Sequence, residues 1–305
     1  MRPVPNGKFK KFDGSANGTT LVRENLPSAT AQRAAVQRAA HQLLDDPKVF
    51  DDPVALRILG RKRAGTLPTD PLRSEGTALS PHLRAFMAAR SRYAEDELAV
   101  GVRRGVRQYV ILGAGLDTFA CRNPYPEGVL DVFEVDHPAT QAWKRARLQE
   151  AGITVPRNLR FAAVDFEAQS LADGLCGAGY DPGRRTFFAW LGVTPYLRSE
   201  AVMATLRFIV AAPVGSGVVF DYMVSPSLLN AAERLVLGLL ASRAASAGEL
   251  WQAFFDPAAL KRDLRAMGFR QVADMGPAQI NARYFKGRRD RLRTGSLAHL
   301  MSAQV

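Results

Sequence analysis

The pattern of apolar and polar positions changes character near residue 105. From Ser28 onward apolar residues recur at helical spacing, with Ala31, Ala34, Ala35, Val36, Ala39 and Leu43 on one face. Ser28 is placed to cap that helix, because its hydroxyl can accept from an unpaired N–H of the first turn. Residues 51 to 60 predict a short second helix, with Pro53 suited to its first turn. Gly65 to Asp70 reads as a loop. The stretch "PHLRAFMAARSRYAEDELAVGVRRG" then predicts a long amphipathic helix that stops near Gly105. Residues 1 to 27 show little periodicity and are expected to form a mobile tail.

From Gln108 the period shortens. Candidate strands are Gln108 to Leu112, Val129 to Val135, Arg160 to Val164, Thr186 to Trp190 and Gly217 to Met223. Helical stretches such as "PATQAWKRARLQEAG" and "SEAVMATLRFIVAA" separate them. Strand and helix in alternation, joined by short loops, predict an α/β fold with a doubly wound, mostly parallel sheet. Ser225 to Phe255 reads as a helical insertion placed to act as a lid. "GFRQVADM" and "NARYFKG", joined by "GPAQI", read as a terminal antiparallel hairpin. The expected organisation after the tail is a single domain over 28–305. It comprises a helical cap (28–105), a cofactor-binding core (106–223), a helical lid (224–256) and C-terminal strands (257–305).

Composition narrows the function classes. The 305 residues are 47% hydrophobic, enough for a full core. Charged residues, Gly and Pro interrupt the apolar runs well before membrane-spanning length. The opening "MRPVPNGKFKKFDG" lacks a signal-peptide core, so the expected location is the cytoplasm. Two cysteines, Cys121 and Cys176, make neither a disulfide framework nor a cysteine-rich zinc site. No His/Asp/Glu cluster suggests a metal. The net charge of +12 is spread in pairs and triplets without the aromatic interleaving of a nucleic-acid platform. The expected partner is therefore a small-molecule acceptor, with neither nucleic acid nor membrane.

The chemistry starts at "RQYVILGAGLDTFACR". An apolar run meets Gly113-Ala114-Gly115 and a helix-like segment follows. Such a loop brings a ligand close to the backbone and offers it free N–H groups. A dinucleotide site usually has a third glycine where this chain has Thr118. About twenty residues on, "DVFEVDHP" places Glu134 and Asp136 at the end of the second strand, where a carboxylate can accept both hydroxyls of a ribose. Asp136 is the first choice and Glu134 the second. Asp165, ending the third candidate strand, can accept from an adenine amino group, and Phe166 can pack on the ring. These features suit NAD(P) and S-adenosylmethionine alike. The Tyr-x-x-x-Lys pair of many NAD(P) oxidoreductases is absent.

The stretches "AARSRYAEDEL", "QYVILGAGLDTFACR", "FEVDHPATQAWKRARL", "VDFE", "FFAWLGVTPYL" and "NARYFKGRRDRLR" occur in one order from about residue 28 to residue 300. Through them the chain resembles the leucine carboxyl methyltransferase-like family of class I S-adenosylmethionine-dependent methyltransferases. The closer resemblance is to a bacterial branch described as O-methyltransferases of polyketide-type metabolism. The resemblance implies a Rossmann-like, seven-stranded, mostly parallel sheet whose last strand is antiparallel, with a helical N-terminal cap and a helical lid. It implies S-adenosyl-L-methionine as cofactor. Gly113, Ala114 and Gly115 would hold its amino-acid and ribose side, Asp136 its ribose hydroxyls, and Asp165 and Phe166 its adenine. An arginine of the helix before the first strand would pair with the methionyl carboxylate. Arg90 is preferred there over Arg92. Asp117 would face the cofactor's ammonium or cap the next helix. Related enzymes often carry glutamate after the fourth strand, where this chain has Leu191, so that contact is missing or comes from the Leu191 backbone.

The implied reaction is in-line displacement from a sulfonium, in which the protein aligns the reactants and excludes water. Tyr196 and Tyr284 are the candidates for orienting an acceptor. His41, His82, His137 and His299 read as structural. The Asn-Pro-Pro-Tyr type of sequence used on nitrogen acceptors is absent, and "VTPY" lacks its carbonyl-bearing side chain, which favours oxygen. A second reading of the same residues is an NAD(P)-dependent oxidoreductase. A third is a non-catalytic S-adenosylmethionine-binding protein that contacts a polyanion.

Overall fold

The computed structural model describes residues 28–68, 80–164, 170–246 and 248–305. The expectations for residues 1 to 27, for the end of the Gly65–Asp70 loop, and for Asp165 and Phe166 lie outside the described residues. Four helices come first: α1 (Ala29–Leu44), α2 (Ala55–Leu59), α3 (Arg61–Ala64) and α4 (Pro81–Arg103). Ser28 caps α1, its hydroxyl accepting from the Ala31 N–H at 3.1 Å. The sheet then follows as β1 (Gln108–Leu112), β2 (Asp131–Asp136), α5 (Pro138–Glu150), β3 (Leu159–Ala163), α6 (Leu171–Gly177), β4 (Thr186–Trp190), α7 (Ser199–Val210) and β5 (Gly217–Val224).

The remainder is α8 (Ala231–Ser246), a two-residue β6 (Phe254–Phe255), α9 (Pro257–Met267), β7 (Gln271–Met275), α10 (Pro277–Tyr284) and β8 (Ala298–Gln304). The sheet runs β3-β2-β1-β4-β5-β8-β7, with β6 extending the end of β5. β1 to β5 pair in parallel, and β8 runs antiparallel to both β5 and β7. Seven strands thus form the main ribbon, with one reversed. Helices cover both faces, and β1, β4 and β5 are buried along their whole length. That is why these strands read as continuous apolar runs rather than alternating ones.

The terminal hairpin expected from "GFRQVADM" and "NARYFKG" does not form. The second segment lies in α10 and the turn after it, and the reversed strand is β8, further along the chain. Pro277 opens α10, where its fixed φ suits a first helical turn, and Ile280 buries the helix. β8, "AHLMSAQ", contains no β-branched or aromatic residue, so its place between β5 and β7 decides its conformation against its propensity.

The cap helices are joined by a buried ionic cluster. Arg84 of α4 donates to Asp45 through Nε (2.7 Å) and Nη2 (2.8 Å). His41 donates to Asp45 from Nδ1 (2.7 Å) and accepts the N–H groups of Val49 and Phe50 at Nε2. Bonded at both ring nitrogens, the imidazole is structural, tying α1 to the segment that follows it. Removing one member of a buried pair leaves an uncompensated charge, which costs about 3–5 kcal/mol. Asp45→Ala is expected to lower unfolding free energy by about that amount, read from urea denaturation.

Candidate functional site

A cavity of about 700 Å³ opens at the carboxyl ends of β1, β2 and β4. That is the edge where open α/β sheets hold their ligands. Its floor is the loop after β1. Gly113 (φ 67°) and Gly115 (φ 49°) adopt the left-handed conformation that favours glycine. Both also sit under close neighbours. A Cβ on Gly113 would lie 2.4 Å from Val193 Cγ2, and one on Gly115 would lie 2.8 Å from the Ala31 Cβ of α1. The cap helix therefore rests on the glycine loop itself.

Asp136, at the end of β2, lines the cavity. Its Oδ2 accepts from the Gly115 N–H at 2.5 Å and its Oδ1 from the His137 N–H at 2.8 Å. Burial raises its pKa, and those two N–H groups offset part of the rise. Each carboxylate oxygen keeps acceptor capacity for a ribose. His137 lines the cavity too and caps α5, its Nδ1 accepting from the Ala139 N–H. Asp117 also lines it. Its Oδ1 accepts from the Phe119 N–H at 2.8 Å, and Arg38 lies 3.8 Å from Oδ2. Burial pushes the Asp117 pKa up, but the charges of Arg38, Lys144 and Arg122 hold it below the ordinary value.

Arg90 faces the cavity from α4, whereas the half-exposed Arg92 turns outward to Asp96 at 2.7 Å. Arg90 Nη1 donates to Asp221 of β5 at 3.0 Å. The same carboxylate accepts the Gly192 N–H at 2.5 Å. Leu191 and Tyr196 complete this wall.

Two candidates lie elsewhere. Glu134 does not reach the cavity. It is buried with Lys144 of α5 in an ion pair at 2.5 Å. Within β2 it is two residues before Asp136, yet burial under α5 rather than strand position decides its environment. Tyr284 ends α10 and donates to Asp96 of α4 at 2.9 Å, outside the cavity lining.

Sequence reasoning missed three residues. Arg38 of α1 lines the cavity and donates to the Leu116 carbonyl. Asp221 is described above. Glu249, in the segment after α8, accepts from the Thr30 N–H at 2.8 Å and from the Thr30 hydroxyl. It thereby fastens the start of the cap over the cavity. The following Gln252 donates from its side chain to the Tyr196 carbonyl at 2.8 Å. From the insertion after β5, Glu249 and Gln252 are the cavity-lining residues, rather than the helix α8 itself. A long buried-looking basic residue in an apolar helix was the available signal for Arg38. An acid inside "VVFDYMV" was the signal for Asp221.

These walls fit S-adenosylmethionine. The loop backbone admits close approach, an acid stands at the end of β2, and a guanidinium faces the cavity from α4. The comparisons bear on the same point. The leucine carboxyl methyltransferase family model matches residues 31–210. YktD of Bacillus subtilis (strain 168), assigned as an S-adenosyl-L-methionine-dependent methyltransferase, is 32% identical over 92% of this chain and 99% of its own length. The chain belongs to the leucine carboxyl methyltransferase family. It is a methyltransferase, and S-adenosylmethionine is its cofactor. A similarly assigned protein of Parafrankia sp. (strain EAN1pec) is 38% identical over 56% of this chain and 54% of its own. Among solved structures, a DUF574 family protein from Streptomyces avermitilis aligns with a TM-score of 0.51 at 15% identity, over 88% of this chain and 96% of that one. It shares the fold. Among the described residues no helix is long and apolar enough to cross a membrane, and no group of His, Cys, Asp and Glu is placed to hold a metal ion.

The Glu134–Lys144 pair yields a pH prediction. Burial pushes the Glu134 carboxyl up to about 7, against an ordinary value of 4.5. Between those pH values the folded chain keeps a proton that the unfolded chain releases. This contribution to stability therefore falls as pH rises from 4.5 to about 7 and is level above that. In urea unfolding, the stability of the native chain relative to Glu134→Gln is expected to decline across that window.

Proposed function

We propose that this enzyme methylates an oxygen, hydroxyl or carboxylate, of a small molecule of secondary metabolism. The observation that carries the reading is the cavity. At about 700 Å³ it has room beside the cofactor for a small acceptor, and its walls behind the glycine loop include Val164, Leu171, Trp190, Leu197 and Ala201. A half-closed chamber with these apolar walls, and with Arg198, Glu200 and Thr205 beside them, suits a small organic acceptor rather than a polymer.

Bound S-adenosylmethionine supplies a methyl group already activated on a sulfonium. The loop Gly113–Gly115 would hold the amino-acid and ribose side through backbone N–H groups, with Asp136 accepting from the ribose and Arg90 facing the methionyl carboxylate. Leu191 offers no side-chain acceptor at that wall, so any polar contact there falls to backbone. The cap, fastened through Glu249, excludes water from the chamber. Tyr196, held at its carbonyl by Gln252, would orient the acceptor oxygen. A carboxylate acceptor needs no base, and the histidine on the lining, His137, is spent on capping α5 through Nδ1. The small-molecule reading is also supported by a charge spread over the chain rather than gathered with aromatic residues.

The test has two stages. Calorimetric titration should give micromolar binding of S-adenosylmethionine and S-adenosylhomocysteine, with Asp136→Ala weakening both about tenfold or more. Phenols and carboxylic acids are then incubated with enzyme and cofactor, and products are scored by mass. Mild base separates the two oxygen classes, since esters hydrolyse and ethers survive. Methylation confined to amines or thiols would overturn the oxygen reading and leave the cofactor assignment intact.

A further inference from the structure

The cation that faces the cofactor is itself held by a second acid. Arg90 is 8% exposed and Asp221 is 4% exposed, and they come from elements 131 residues apart. Asp221 divides its carboxylate. Oδ2 accepts from Arg90 Nη1 at 3.0 Å and Oδ1 accepts the Gly192 N–H at 2.5 Å. Its backbone carbonyl accepts the Thr194 hydroxyl at 2.5 Å. One residue of β5 thus joins α4 to the loop leaving β4.

The Nη1–Nη2 end of the Arg90 guanidinium lies against Gly192. That glycine has φ 73°, and a Cβ there would lie 2.8 Å from both Nη1 and Nη2. The guanidinium is therefore bounded at its Nη end by Gly192 and held at Nη1 by Asp221. Among the described residues Nε and Nη2 have no hydrogen-bond partner. Those two N–H groups form the fork that matches a carboxylate bidentately.

We propose that Asp221 is the positioning residue for Arg90: it occupies Nη1 and keeps the Nε–Nη2 edge turned to the cavity for the cofactor's carboxylate. This rests on the reading of Arg90 above. Two requirements are met by the arrangement. A guanidinium this buried needs a counter-charge when no cofactor is present. An arginine can serve two carboxylates at once because its five donors lie in one rigid plane. Asp221 reaches the loop after β4 from the neighbouring strand, through the Gly192 N–H.

The experiment compares two ligands on the full chain by calorimetry. S-adenosylhomocysteine carries the amino-acid carboxylate, and 5′-methylthioadenosine lacks it. Asp221→Asn keeps an acceptor for the Gly192 N–H and loses the charged partner of Arg90. It is expected to weaken S-adenosylhomocysteine about tenfold, while methylthioadenosine stays within about twofold. Parallel weakening of both ligands, or no change in either, would overturn the proposal. Arg90→Gln serves as the control. If it leaves the ratio of the two affinities unchanged, the reading of Arg90 fails and the proposal with it. If it collapses the ratio while Asp221→Asn does not, the role of Asp221 alone is refuted. Should Asp221→Asn not fold, Gly192→Ala crowds the Nη end of the guanidinium and is expected to cause the same selective loss. A parallel loss there overturns the proposal equally.

Discussion

The cavity exists because three chain segments approach one another more closely than a side chain would allow. Val193 meets Gly113, Ala31 meets Gly115, and the Arg90 guanidinium meets Gly192, each at a distance that a Cβ would close to under 3 Å. The three glycines also have positive φ, so conformation and crowding both require them. The glycines of the β1 loop are usually read as clearance for a ligand. Here the same clearance admits the cap helix and the β4 loop. Cofactor floor, cap and acceptor wall are thereby made into one packed unit.

That packing explains which acids end up where. β2 ends in two carboxylates that sequence spacing alone treats as near equals. Folding separates them. Asp136 reaches the glycine loop, where the Gly115 and His137 N–H groups support its charge. Glu134 is sealed beneath α5 with Lys144, where burial raises its pKa to about 7. One strand end therefore supplies a ligand-facing acid and a buried ion pair. Buried ion pairs specify arrangement more than they add stability. In this chain they recur where the cap meets the core, with Arg38 between Asp52 and Asp117 and Arg122 on Glu95.

The sheet was legible in the sequence to the extent that burial on both faces writes itself as apolar runs. β1, β4 and β5 are such runs, and Gln108–Leu112 and Thr186–Trp190 match their predicted bounds. The C-terminal region was not legible. Tyr284 and Phe285 made "NARYFKG" look like a strand, yet Pro277 and Ile280 set a helix there. β8 has no strand-forming composition at all. The places of the glycine loop and Asp136 on the cavity wall were legible because local motifs carry them, and that of Arg90 came through the family resemblance. Asp221 and Glu249 were not, because what matters about them is a partner more than 100 residues away. No spacing rule links Arg90 to Asp221. A buried acid in an apolar strand shows only that some partner must exist.

Those long-range contacts also bear on how an acceptor site can vary while the cofactor site stays constant. The wall proposed to hold the cofactor is built from backbone and from Asp136, Asp117 and Arg90, whose polar groups already have protein partners, so a change there disturbs several elements together. The proposed acceptor side draws on Leu171, Trp190, Leu197, Ala201 and Thr205, with Arg198 and Glu200 beside them on the lining, from α6, the end of β4 and the loop and helix that follow it. A single exchange of size on that side reshapes the chamber without breaking an ion pair. Glu249 stands between the two regimes. It lines the cavity, yet its acceptor capacity is taken up by Ser28, Thr30 and Arg33. Its negative charge is thus committed to closing the cap rather than to the chamber.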